Sequence, residues 1–106
     1  KKGYSKNSKS EKILGCSYDF FLNWLGSNKN VNDFHLDHII PVSLGFTELE
    51  VISLNHYSNI QLLTPKENLI KGNKYIKKEN YNKVIKNHPQ PSLIKEIVDR
   101  SGINII

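Results

Sequence analysis

Two adjacent side chains, Asp37 and His38, form the pair with the clearest chemical potential in this sequence. A carboxylate is a hard oxygen ligand that suits Mg²⁺ or Mn²⁺. An imidazole has an ordinary pKa near neutrality and can accept a proton from water. A metal ligand beside a base is the minimum that hydrolysis of a phosphodiester requires. The pair is short and recurs in unrelated proteins, so the rest of the chain must supply further groups.

Apolar residues around the pair predict the element that holds it. The run over 34–38 is typical of a first strand, and Pro41 ends it. We expect Leu36, Ile39 and Ile40 to be buried. A second apolar run predicts a strand over 58–63, which contains Asn59.

A helix start follows the second strand. Thr64 is placed as N-cap, Pro65 at the first position and Glu67 three residues after the cap. The helix is predicted to reach about residue 72. At 100° per residue, Asn68 and Lys71 share one side, and we expect Leu69 and Ile70 to face the core.

Further helices are predicted on both sides of these elements. Ser17 is the expected cap of an aromatic helix over 17–25, and Thr47 that of a helix over 48–54 with Glu50 as its reciprocal partner. Helix is also predicted from about Ile76 to residue 86. Ser92 should cap a final helix that packs through Ile94, Ile97 and Val98 on one face.

Charge is distributed unevenly along the 106 residues, whose formal net charge is +5. Residues 1–12 and 66–86 are rich in lysine, whereas 31–56 contain no Lys or Arg. Two basic flanks around an acidic centre favour a polyanion held by its phosphates, with a cation bound between them. A solvated lysine-rich surface is the alternative. Arg100 is the single arginine, so base-specific contacts are poorly provided for.

The order of these pieces resembles the HNH endonucleases, and in particular their freestanding phage and virus members. The resemblance covers about residues 34–74 and rests on the segments His35–Pro41 and Ser58–Leu63 and on Glu67, Asn68 and Lys71. It implies an α+β fold with a ββα-metal core, a two-stranded antiparallel hairpin and a helix around one metal ion, with flanking helices. We therefore expect a single HNH nuclease domain over 1–106. Its parts would be a basic arm at 1–12, the aromatic helix at 17–25, the core at 34–74 and a helical extension at 75–106.

The resemblance also implies a role for each motif residue. Asp37 and Asn68 would bind the metal, and His38 would be the general base. Asn59 would orient His38, and Lys71 would help to neutralise the transferring phosphate. Two oxygen ligands favour one Mg²⁺ or Mn²⁺ per active site. The product would carry a 5′-phosphate.

Other residues have more than one interpretation. His35 is a candidate contact to metal or phosphate, with a structural hydrogen bond as the alternative. His56 is expected to be structural or on the substrate side, and His88 exposed and inert. Cys16 is the only cysteine, so the sequence predicts neither a disulfide nor a structural zinc.

These expectations combine into a metal-dependent DNA endonuclease. Double-stranded DNA is the expected partner, contacted by Lys66, Lys74, Lys77 and Lys78. No membrane partner is expected, because no apolar run approaches the ~20 residues of a membrane span. An intracellular location in an infected host fits the phage and virus resemblance. The alternatives are a non-catalytic nucleic-acid-binding module on the same fold and the toxin domain of a larger protein. The sequence does not decide the oligomeric state.

Overall fold

The chain folds into an α+β arrangement of short helices and two small sheets. The computed structural model describes residues 11–26, 34–71 and 74–106. Most of the predicted basic arm, residues 27–33 and the predicted end of the third helix at residue 72 therefore lie outside the described residues. The elements, in chain order, are α1 (Tyr18–Leu25), β1 (His35–His38), α2 (Glu48–Leu54), β2 (Ile60–Leu63), α3 (Pro65–Lys71), β3 (Tyr75–Ile76), α4 (Lys78–Asn87), α5 (Pro91–Ser101) and β4 (Asn104–Ile105).

The first sheet is the predicted antiparallel hairpin of β1 and β2. Its register sets Asp37 opposite Gln61 and His38 opposite Ile60. The second strand begins two residues later than predicted, because Tyr57–Asn59 forms a 3₁₀ turn. A second 3₁₀ turn, Val42–Leu44, lies in the loop after β1. The hairpin therefore fixes the position of the acidic residue and the histidine at the end of a strand.

Local capping explains where several helices begin. The Ser17 hydroxyl accepts from the amide of Phe20 at 3.1 Å, so α1 has the predicted cap. Gly26 ends α1 in the left-handed region at φ 90°, which glycine adopts without a side-chain clash. At α3, Thr64 and Glu67 cap each other reciprocally at 3.1 and 2.9 Å, as predicted.

The cap of α2 has an additional bond, and the cap of the last helix differs from the prediction. The Thr47 hydroxyl caps α2 as predicted, and Glu50 accepts from the amide of Phe46 at 2.7 Å as well as from that of Thr47. The last helix begins at Pro91, so its N-cap is Gln90 and not the predicted Ser92, because proline at the first helical position needs no amide partner.

The hydrophobic core joins the hairpin to the C-terminal extension. Its buried members are Ile39, Ile40, Leu54, Ile76, Val84, Ile94, Ile97 and Val98. Most of them come from the extension, and the predicted buried face of α5 is confirmed. A two-stranded hairpin with one seven-residue helix buries little apolar area. The extension therefore supplies the apolar surface that lets the hairpin fold.

Three apolar residues predicted to be buried are exposed instead. Leu36 is 60% exposed, Ile70 58% and Leu69 83%. For Leu69 and Ile70 the reason is that α3 packs against the hairpin through Lys71, which is buried and binds a carboxylate there. The helix therefore presents Leu69 and Ile70 to solvent.

The segment around Ile76 is a strand and not the predicted helix. β3 pairs in parallel with β4, and the amide of Ile106 donates to the carbonyl of Ile76 at 2.9 Å. The pairing partner lies almost thirty residues away, so no local pattern indicates it. Among the described residues, no helix is long and apolar enough to cross a membrane.

Candidate active site

The predicted site residues Asp37, His38 and Asn68 line one cleft of about 320 Å³, here called the Asp37 cleft. The other residues that line it are Leu36, Pro41, Val42 and Ser43. β1 contributes the acid and the histidine, and α3 contributes the carboxamide. A carboxylate, an imidazole and a carboxamide thus meet at a space that is large enough for a phosphate with ordered water.

Asp37 is held by two donors at one of its oxygens. Gln61, its partner across the hairpin, donates to Oδ2 at 3.0 Å, and the Lys71 ammonium lies 3.3 Å from the same atom. The side chain of Asp37 is only 12% exposed. Two donors on one buried oxygen fix the orientation of the carboxylate.

His38 has a side-chain partner that the sequence did not indicate. Its Nε2 lies 2.8 Å from Oδ1 of Asn55, the residue that ends α2. The amide nitrogen of Asn55 donates to the carbonyl of Val51 at 2.9 Å. Because Nδ2 of Asn55 is bound to Val51, the oxygen Oδ1 is the atom that faces the His38 ring. An asparagine at a helix end is an ordinary capping residue, so no sequence signal separates this one from others.

Asn68 is bound through its amide nitrogen and not through its oxygen. Nδ2 lies 3.3 Å from Nδ1 of His35. Because the amide can only donate there, the ring nitrogen is the acceptor. This contact favours the hydrogen-bond interpretation of His35 over a metal contact, and the carbonyl oxygen of Asn68 is the atom of that side chain that could bind a metal.

Asn59 contacts the backbone after His38 and not the imidazole itself. Its side chain is fully buried and makes three hydrogen bonds. Oδ1 accepts from the amide of Ile40 at 2.8 Å, and Nδ2 donates to the carbonyls of Ile40 and Leu54 at 3.0 and 2.7 Å. The carbonyl of Asn59 also accepts from the amide of Ile39 at 2.8 Å. Asn59 therefore fixes the backbone that leaves β1, and it can orient His38 only through that backbone.

Lys71 binds the carboxylate of Asp37 but lines a second cleft and not the Asp37 cleft. Its ammonium is also 3.4 Å from the carbonyl of His38, and its side chain is 11% exposed. This second cleft, of about 150 Å³, is also lined by Gln61, Lys77 and Asn80. Lys71 thus balances the charge of the carboxylate, while its contact with a substrate phosphate stays a prediction.

Arg100 joins the last helix to α2 by an ion pair and to the loop after Pro41 by a hydrogen bond. The Arg100 guanidinium binds both carboxylate oxygens of Glu50, at 2.9 and 3.0 Å, and donates to the carbonyl of Leu44 at 2.9 Å. This guanidinium, together with the amide of Phe46, lowers the pKa of Glu50 to about 2. The only arginine is therefore engaged in holding one wall of the site.

Two further histidines lie away from the cleft and against each other, with ring centroids 4.8 Å apart. The prediction that His88 is exposed is wrong, since it is 6% exposed and Nε2 donates to the carbonyl of Ser53 at 2.8 Å. His56 caps the turn that leads into β2 by accepting from the amide of Ser58 at 3.2 Å. Burial, with His88 nearby, lowers the pKa of His56 to about 4. Both rings therefore have structural contacts.

The lysines expected to contact DNA are available for it. Lys66, Lys74, Lys77 and Lys78 are all exposed. Lys66 lies on α3, which carries Asn68, and Lys77 lines the second cleft beside Lys71. Lys66 therefore adds positive charge to the helix that carries Asn68, and Lys77 adds it to the cleft that Lys71 lines.

The donor set fits a hard divalent cation with few protein ligands. No group of three His, Cys, Asp or Glu side chains clusters within 11–26, 34–71 and 74–106. The carboxylate of Asp37 and the carbonyl oxygen of Asn68 are the two oxygen donors of the cleft that could hold a metal. Mg²⁺ retains several waters and accepts one or two protein oxygens, whereas a structural zinc site needs four N or S ligands.

Comparisons with known proteins add no relative to this description. The chain matches no protein-family model, no curated protein and no solved structure.

Proposed function

We propose that this protein is a metal-dependent endonuclease that hydrolyses phosphodiester bonds in DNA, with the HNH type of active site. The observation that carries the proposal is that Asp37, His38 and Asn68 line one cleft although they lie on two elements of the chain. Each of the three makes its contact through one polar atom, namely Asp37 Oδ2, His38 Nε2 and Asn68 Nδ2, and in this proposal the other polar atom of each side chain acts in the reaction. The exposed lysines near α3 supply the charge that a DNA backbone requires.

His38 is the general base in this mechanism. Nε2 is engaged by Asn55, so Nδ1 accepts a proton from water. The oxygen of that water then bonds to phosphorus while the bond from phosphorus to the 3′ oxygen breaks. The leaving 3′ oxygen takes a proton from solvent, and the phosphate stays on the 5′ side.

Asp37 and Asn68 would hold one Mg²⁺ or Mn²⁺. Bound there, the cation would supply positive charge to the scissile phosphate and to the leaving oxygen. Gln61 and Lys71 already bind Oδ2 of Asp37, which holds the carboxylate in one orientation. Asn68 carries no charge, so we expect metal dependence in the millimolar range.

Cleavage of supercoiled plasmid, with Mg²⁺ and with a chelator, tests the proposal. His38→Ala should abolish cleavage and leave DNA binding nearly unchanged, because the imidazole moves a proton and does not hold the backbone. A matched control is Asn87→Ala, which removes one exposed hydrogen bond on α4, far along the chain from the site. Full activity of His38→Ala, or activity that survives the chelator, would refute the assignment.

The same assay separates the catalytic protein from a binding module. Binding of linear DNA without cleavage at any Mg²⁺ or Mn²⁺ concentration would support the non-catalytic alternative. Asn68→Ala should raise the Mg²⁺ concentration required for half-maximal cleavage. An unchanged metal titration would remove Asn68 from the metal site.

A further inference from the structure

Asn55 has the geometry of a residue that acts through His38. The contact between Asn55 Oδ1 and His38 Nε2, at 2.8 Å, joins the end of α2 to the end of β1. Its carboxamide cannot turn over without losing the 2.9 Å bond from Nδ2 to the carbonyl of Val51. The turned group would also present an N–H to the ring, so the observed orientation is the one that satisfies both neighbours.

A carboxamide oxygen can only accept a hydrogen bond. Nε2 of His38 must therefore carry the proton in the neutral ring, and Nδ1 must hold the lone pair. A ring that turned or changed tautomer would lose this bond. The contact thus selects both the tautomer and the ring orientation that a general base at Nδ1 requires.

Hydrogen bonds at the end of α2 hold the backbone of Asn55 in place. Its backbone amide donates to the carbonyls of Ile52 and Ser53 at the end of α2. Four residues further along, Asn59 donates to the carbonyl of Leu54 at 2.7 Å. Asn55 is thus attached to the same buried network that fixes the exit of β1. Its position relative to His38 is set by the fold and not by a mobile side chain.

We propose that Asn55 is the positioning residue for His38, which it holds in the Nε2–H tautomer with Nδ1 as the basic atom. The role as a base rests on the proposed nuclease function, whereas the tautomer does not. Asn55 lies outside the residues that carry the HNH resemblance, and its part in the site follows from the hydrogen bonds alone.

Two substitutions separate the acceptor oxygen from the bulk of the side chain. Asn55→Leu has nearly the same size but no acceptor, whereas Asn55→Asp retains an acceptor oxygen. Both lose the bond to Val51. We expect Asn55→Leu to lower kcat for plasmid cleavage by about 10- to 100-fold with little change in KM, because only the proton transfer is affected. Asn55→Asp should recover most of that loss.

Asn87 offers a matched control for both substitutions. Its Nδ2 donates to the carbonyl of Lys83, four residues earlier, at 2.8 Å, which is the same bond that Asn55 makes to Val51. Asn87→Leu and Asn87→Asp therefore reproduce the loss of that bond and the change of charge without touching His38. Both should cleave plasmid at the wild-type rate.

A second readout needs no activity. Nitrogen-15 NMR of the ring distinguishes the two tautomers, and the His38 signals can be assigned by their loss in His38→Ala. The wild type should show the Nε2–H form, and Asn55→Leu should show a larger share of the Nδ1–H form. Identical His38 spectra in the two proteins, or an Asn55→Leu kcat equal to that of the wild type, would overturn the positioning role. A tautomer change in a protein that does not cleave DNA would support the positioning role and refute the nuclease.

Discussion

Removal of the Asn59 side chain is the perturbation for which the structure gives the clearest magnitude. The side chain is fully buried and satisfies three backbone groups, the amide and carbonyl of Ile40 and the carbonyl of Leu54. Asn59→Ala leaves all three without this partner. A buried polar group that loses its partner costs about 1–3 kcal/mol. Partial relaxation and entry of water reduce the sum, so we expect a loss of about 3–5 kcal/mol in the free energy of unfolding.

That loss is a large share of the whole stability of a small domain, which is about 5–15 kcal/mol. Urea unfolding followed by the fluorescence of Trp24, the only tryptophan, measures it. Trp24 is a suitable reporter because its ring packs on Tyr57 at 5.0 Å and its Nε1 donates to the carbonyl of Ile60 at 3.2 Å. These two residues flank the segment that holds Asn59.

Two companion variants make the result specific. Asn87→Ala removes one exposed bond and should change stability by less than about 0.5 kcal/mol. Asn59→Asp retains the bond from the amide of Ile40 but places a carboxylate against the carbonyls of Ile40 and Leu54. The variant should therefore be more stable at acidic pH, where the new carboxyl group is protonated, than at neutral pH. A loss below about 1 kcal/mol in Asn59→Ala would refute the inference that this side chain fixes the exit of β1.

Three further predictions follow from single contacts. Lys71→Met should tighten Mn²⁺ binding by about tenfold in calorimetry, because it removes a cation 3.3 Å from the Asp37 carboxylate; equal or weaker binding would contradict this. The folded structure lowers the pKa of His56 to about 4. Between about pH 6.5 and about pH 4 this histidine is therefore protonated in the unfolded chain but neutral in the folded one. The urea midpoint should fall as the pH drops through that range. His56→Gln should flatten that decline, and an unchanged slope would assign the titration elsewhere. Leu69 is exposed, so Leu69→Ser should alter the free energy of unfolding by less than about 0.5 kcal/mol. Ile97 is buried, so Ile97→Ala should lower that free energy by about 2–5 kcal/mol. A larger effect of Leu69→Ser than of Ile97→Ala would mean that Leu69 faces the core.

Predictions that depend on neighbours in sequence were the reliable ones. The caps at Ser17, Thr47 and Thr64 form within one helical turn, so the residues that make them are visible together in the chain. The antiparallel hairpin is not local, since His35 pairs with Leu63 across the whole of α2, and it was expected because the resemblance to the HNH endonucleases implies it. The sequence by itself thus determined most of the elements, the pair at Asp37 and His38 and the hypothesis of a metal-dependent nuclease.

Only the tertiary structure decided the contacts between distant residues. The parallel pairing of β3 with β4, the burial of His88 and the exposure of Leu69 each depend on which surfaces the extension leaves free. The contact between Asn55 and His38 also depends on how α2 returns to the end of β1. Residue spacing fixes the direction of a side chain on its own element, but packing in three dimensions fixes what that side chain meets.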